Sequence, residues 1–92
     1  MNYSYPFSSD WKTEEIVTVV EFFQAIEQAF EGGIKKETLL SKYRAFQSVI
    51  PSKAEEKTLF REFEKESGYA SFEAVKKLKD AKDGAIIRGG RD

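Results

Sequence analysis

The chain has 92 residues, 40% of them apolar and 34% charged, with a net charge of −1. That is enough for one compact domain and too little for a second core, and the balance is globular rather than disordered. It contains no Cys and no His, which excludes disulfides, thiolate nucleophiles, imidazole general bases and imidazole metal ligands.

The apolar runs are far shorter than a bilayer span, and the N-terminus lacks a basic-then-apolar leader pattern. A cytoplasmic protein without membrane contact is expected. Charge is unevenly spread: residues 1–33 carry one Lys against six carboxylates, and residues 34–51 carry four bases against one. Such polarity bears on association rather than on fold.

Residues 1–12 show no helical period. Tyr3, Tyr5 and Phe7 alternate around Pro6, which favours extended backbone. An extended aromatic arm is expected here, ending at Trp11. Asp10 or Thr13 is the expected cap of the first helix, and Glu14 and Glu15 suit its positive end. That helix, to about Glu31, is the organising element. Ile16, Val19, Val20, Phe23, Ile26 and Phe30 recur at helical spacing, and Phe22, Ala25 and Ala29 widen the apolar arc to about half the circumference. A helix this apolar requires more than one neighbour. Gly32-Gly33 ends it, with a left-handed cap expected there.

The spacing of Leu39, Leu40, Tyr43, Phe46, Val49 and Ile50 predicts a second helix over roughly Lys35–Val49, stopped by Pro51. Ser52-Lys53-Ala54-Glu55 reads as a capping box. A third helix follows to about Ser67, with Leu59, Phe60 and Phe63 apolar and Gly68 closing it. Ser71 is the expected cap of a short fourth helix carrying Phe72, Val75 and Leu78 on one face. Asp83-Gly84 turns the chain, and Ile86-Ile87 is an apolar pair able to dock back. The expected architecture is all-α: one domain over 1–92, a compact bundle of three main helices plus a short fourth, an extended arm over 1–12 and a flexible tail over 83–92.

Several stretches resemble a small bacterial family of uncharacterised proteins typified by YktA. They are Pro51-Ser52-Lys53-Ala54-Glu55-Glu56-Lys57, Arg61-Glu62-Phe63-Glu64 and Ser67-Gly68-Tyr69, with Tyr3-Ser4-Tyr5-Pro6, Asp10-Trp11, Thr13-Glu14-Glu15-Ile16-Val17 and Val75-Lys76-Lys77 beside them. The likeness spans about Tyr3 to Lys77. It implies a compact helical fold in a bacterial cytoplasm. It carries no activity and no site residue across.

The residues themselves point away from catalysis. Ser52-Lys53 is a conceivable dyad, but Ser52 is better used as a helix cap. The Gly pairs at 32–33 and 89–90 lack the rest of a phosphate loop. Glu55, Glu62 and Glu66 share an edge of the third helix and read as a solvated acidic edge, not a metal site. No enzyme chemistry and no cofactor are expected. Two candidate surfaces remain. The first is the aromatic group Tyr3, Tyr5, Phe7 and Trp11, which either covers the bundle or binds a protein partner or a second copy. The second is the cationic stripe Lys53, Lys57, Arg61 and Lys65, one turn apart on the third helix, which suits a nucleic acid or other polyanion. An isoelectric point of about 5.6 weighs against the second. The expected role is a protein-interaction or regulatory module, with polyanion binding as the alternative.

Overall fold

A computed structural model describes residues 10–88. The elements are α1 (Thr13–Glu31), β1 (Ile34–Lys35), α2 (Lys36–Val49), α3 (Lys53–Ser67), α4 (Ser71–Asp80) and β2 (Ile86–Ile87). The fold is an all-α bundle with one minimal two-stranded ribbon. Among the described residues no helix is long and apolar enough to cross a membrane.

The first helix is the central element. Val19, Phe22, Phe23, Ala25, Ile26 and Ala29 are buried, while Ile16, Val20 and Phe30 are half-buried. The buried arc is therefore centred on Phe22, Ile26 and Ala29, rotated from the Ile16–Val20–Phe30 side of the expected stripe. The arc is covered within the chain by α2, α3 and α4 and leaves only Val17 prominently exposed among its large apolar residues. Six rings from three helices form the middle of the core. Phe22 lies 4.5 Å from Phe46, 5.7 Å from Tyr43 and 5.8 Å from Phe60, centroid to centroid, and Phe23 stacks on Phe63 at 4.5 Å. These are favourable offset and edge separations.

The ends of α1 differ from expectation. Its N-cap is Lys12, whose backbone N–H donates to the Glu15 carboxylate at 2.8 Å. Neither Asp10 nor Thr13 occupies the cap, because Glu15 supplies the compensating acceptor from inside the first turn. At the other end Gly32 has φ −168°, outside the left-handed region, and the positive-φ residue is Gly33, at φ +108°. A Cβ built on Gly33 would lie 2.7 Å from Ile86 Cγ2. Gly33 thus provides both the turn into β1 and the space for β2. Gly33→Ala is expected to cost about 1–3 kcal/mol, combining positive-φ strain with displacement of Ile86. Urea unfolding of the variant checks this.

The third helix begins and ends where the sequence predicts, with the Ser52 half of the capping box in place. Ser52 Oγ accepts from Glu55 N–H at 3.3 Å, and Gly68 closes the helix at φ +82°. Phe60 and Phe63 are core, and so is Glu56, a buried carboxylate among the exposed charges of this helix.

Two further corrections fall on α4. Its cap position is Ala70, so Ser71 is the first helical residue, fully buried with no hydrogen-bond partner for Oγ among the described residues. The buried positions are Ser71, Ala74, Val75 and Leu78. Phe72, expected on that face, is 62% exposed. Small Ser71 and Ala74 let α4 approach its neighbours closely, and that choice of face turns Phe72 outward.

After α4 the chain turns at Gly84 and Ile86–Ile87 does dock back, pairing antiparallel with β1 in the register Ile34↔Ile87 and Lys35↔Ile86. Lys35, expected to start the second helix, belongs to this ribbon. The turn is pinned to the start of α2. Lys36 Nζ donates to Ala81 O at 2.8 Å and pairs with Asp83 at 3.2 Å, and Glu37 accepts from Gly84 N–H at 2.7 Å. The Gly84 and Glu37 backbone N–H groups hold the Glu37 carboxyl below the usual carboxylate range.

Candidate interaction surface

The aromatic candidates divide. Trp11 is half-buried and packs against the core cluster. Tyr3, Tyr5 and Phe7 lie outside the described residues. The cationic candidates Lys53, Lys57, Arg61 and Lys65 are all exposed along α3, successive members about 6 Å apart along the axis. Lys53 is partly engaged, its Nζ 3.7 Å from the buried Glu56 carboxylate. The acidic edge of Glu55, Glu62 and Glu66 is also exposed, and no group of carboxylates arranged to hold a metal ion occurs among the described residues.

A further surface, not marked by any motif in the sequence, lies along α4 and β2. Phe72, Glu73, Lys76, Lys77 and Asp80 line an open groove of about 410 Å³. A second, of about 420 Å³, is lined by Lys77, Asp80, Ala81, Ile86, Ile87 and Arg88. The two meet at Lys77 and Asp80, forming a furrow with Phe72 at one end and β2 at the other. Phe72 and Ile86, the latter 46% exposed, supply apolar contact. Lys76, Lys77 and Arg88 outnumber Glu73 and Asp80. Lys77 Nζ donates to the Arg88 carbonyl at 2.6 Å and ties the wall of α4 to the end of β2. The one cue in the sequence was the adjacency of Phe72 to the Lys76-Lys77 pair. It was unreadable without the phase of α4.

Two other polar groupings are clamps between elements. Tyr69 stacks on Phe30 at 4.9 Å and donates to Glu31 at 2.8 Å, fastening the α3–α4 link to the end of α1. That hydrogen bond raises the Tyr69 phenol, and burial beside Glu31 raises the Glu27 carboxyl. The buried Tyr43–Glu56 pair joins α2 to α3 through a 2.8 Å hydrogen bond. Chemically, the furrow offers apolar contact and backbone and charged hydrogen-bonding groups, which is equipment for recognition.

Comparison with known proteins agrees with the sequence resemblance and extends it. The model of an uncharacterised protein family, UPF0223, matches residues 2–87, which carries the likeness through β2. A UPF0223 protein of Lysinibacillus sphaericus is 62% identical over 88 residues, covering 96% of this chain and 93% of the relative. Relatives from Bacillus pumilus and Bacillus cytotoxicus are 51% and 47% identical, each covering 96% of this chain and 99% of their own length. The chain belongs to the uncharacterised protein family UPF0223.

Proposed function

We propose that this chain is a non-enzymatic protein-interaction module and that the furrow between α4 and β2 is its contact surface. The observation that carries the reading is Phe72: a large aromatic side chain, 62% exposed, on a helix whose other apolar residues are buried. An exposed aromatic beside a groove with charged walls has the make-up of an interface anchor. The expected result is that Phe72→Glu changes stability by no more than about 0.5 kcal/mol while abolishing self-association or the capture of a partner in a native-lysate pull-down. A variant with the wild-type solution mass and the same co-purifying proteins would sink the reading.

A second reading rests on a separate observation, the exposed stripe Lys53, Lys57, Arg61 and Lys65. Exposed cations one turn apart suit a polyanion backbone, although Glu64 and the acidic edge of α3 offset part of their field. On this reading a random-sequence duplex is retarded in gel shifts at about 50 mM salt and released at several-fold higher salt. Charge reversal at Arg61 and Lys65 would then remove the shift, and no retardation at low salt ends the reading.

A further inference from the structure

The ribbon has a directionality that the register reveals. Lys36 N–H donates to Ala85 O at 2.8 Å, so residues 36 and 85 are hydrogen-bonded across the strands. Bonded and non-bonded positions alternate along an antiparallel ladder. With Lys35 opposite Ile86 and Ile34 opposite Ile87, the Ile34–Ile87 position is bonded and the Lys35–Ile86 position is not. The backbone N–H and C=O of Ile86 therefore point away from β1. Arg88 has the same parity as Ile86, and its carbonyl receives Lys77 Nζ from α4. The outer edge of β2 thus faces α4 across the groove lined by Lys77, Asp80, Ala81 and Ile86. An edge strand beside a helix, with a groove between them, is the arrangement in which an extended peptide adds as a further strand.

We propose that the outer edge of β2, walled by α4, takes an extended, acid-flanked apolar segment of a partner protein as a third strand. The proposal rests on the furrow being an interaction surface and specifies what enters it. The outward donor and acceptor of Ile86 match the backbone of an extended chain. Ile86 and Phe72 offer contact to apolar side chains. Lys76, Lys77 and Arg88, against Glu73 and Asp80, favour acidic flanks on the incoming segment.

The test titrates the ¹⁵N-labelled full chain with a capped peptide of three valines flanked on each side by two glutamates. Two analogues accompany it, one N-methylated at the central valine and one at the two outer valines. A paired strand directs alternate amides toward its neighbour. One analogue is therefore expected to lose about tenfold in affinity while the other retains it, the loss of one hydrogen bond. The parent peptide should shift the Ile86 and Phe72 resonances and slow exchange of the Ile86 amide. Flanking lysines in place of glutamates should weaken binding. Ile86→Pro removes the outward N–H without touching the β1 ladder, and should reproduce the loss at an unchanged thermal midpoint. If Ile86→Pro unfolds, the two methylated analogues still decide. Equal binding of both analogues overturns strand addition while leaving the furrow as an interaction surface. Shifts confined to α3 around Lys53–Lys65, or none at millimolar peptide, also overturn it. The Phe72→Glu result separately decides whether the furrow binds protein at all.

Discussion

Phe22→Ala is expected to destabilise the protein by about 3–5 kcal/mol, the range for emptying a ring-sized space in a tight core. Phe22 is fully buried, and four aromatic neighbours from α1, α2 and α3 surround it, with Phe23 at 5.1 Å completing the set begun by Tyr43, Phe46 and Phe60. The third helix meets α1 mainly through rings, Phe60 with Phe22 and Phe23, and Phe63 with Phe23. Removing Phe22 therefore loosens a joint between helices as well as deleting apolar area. A domain of this size has about 5–14 kcal/mol in total, so the variant should lose about a fifth of it at the least. The thermal midpoint should fall by about 12 °C or more. Urea unfolding monitored by far-UV circular dichroism measures the effect, with Phe72→Ala as the matched control. The same chemical deletion at an exposed ring should stay within about 0.5 kcal/mol. Comparable losses at both positions would contradict the assignment of one ring to the core and the other to the surface.

The contrast between these two phenylalanines also marks where the sequence was legible. In α1 the apolar residues are so many that the arc is unmistakable, even though its centre is rotated toward Phe22 and Ala29. In α3 the boundaries are written in local chemistry: Ser52 after Pro51 at one end, Gly68 in the left-handed region at the other. The fourth helix is short and carries few apolar residues, so two phases compete. Phe72, Val75 and Leu78 form one plausible face, and Ser71, Ala74, Val75 and Leu78 form the other. Tertiary packing selects the second because its small residues admit closer contact, a preference no local pattern expresses. The ribbon was illegible for a different reason. Two residues per strand give no alternation to read, and the pairing joins Ile34 to Ile87 across most of the chain. Its one local signature is Gly33, whose need for a positive φ is indistinguishable in sequence from an ordinary helix stop. The furrow depends on both the phase of α4 and the docking of β2, and so it became visible only in the structure.

Glu56 poses the sharper energetic question, since it is a carboxylate 7% exposed beneath a helix of charged residues. Its Oε2 accepts from Tyr43 Oη at 2.8 Å, and Oε1 lies 3.7 Å from the largely exposed Lys53 ammonium. Tyr43→Phe deprives the carboxylate of its buried donor and should cost about 1.5–3 kcal/mol. Glu56→Leu leaves the Tyr43 hydroxyl without its acceptor and should cost about 1–3 kcal/mol. The double variant replaces both ends by apolar groups, and should be destabilised by at least about 1 kcal/mol less than the sum of the singles. Lys53→Ala should cost under about 1 kcal/mol, because its ammonium is solvated. The pair also dictates the response to alkali. Burial first, and then the hydrogen bond to Glu56 and its charge, raise the Tyr43 phenol well above its ordinary value. The folded protein therefore holds this proton more tightly than the unfolded chain. The associated stability is fully present below about pH 10, the ordinary tyrosine value, and is lost as pH rises above it. Tyr69, raised in the same direction by Glu31, contributes with the same sign. Urea midpoints measured from pH 7 to 11 should fall more steeply above pH 10 in the wild type than in Tyr43→Phe, which keeps the Tyr69 share. Parallel curves, or additive single substitutions, would mean that Tyr43 and Glu56 are not coupled in the folded core.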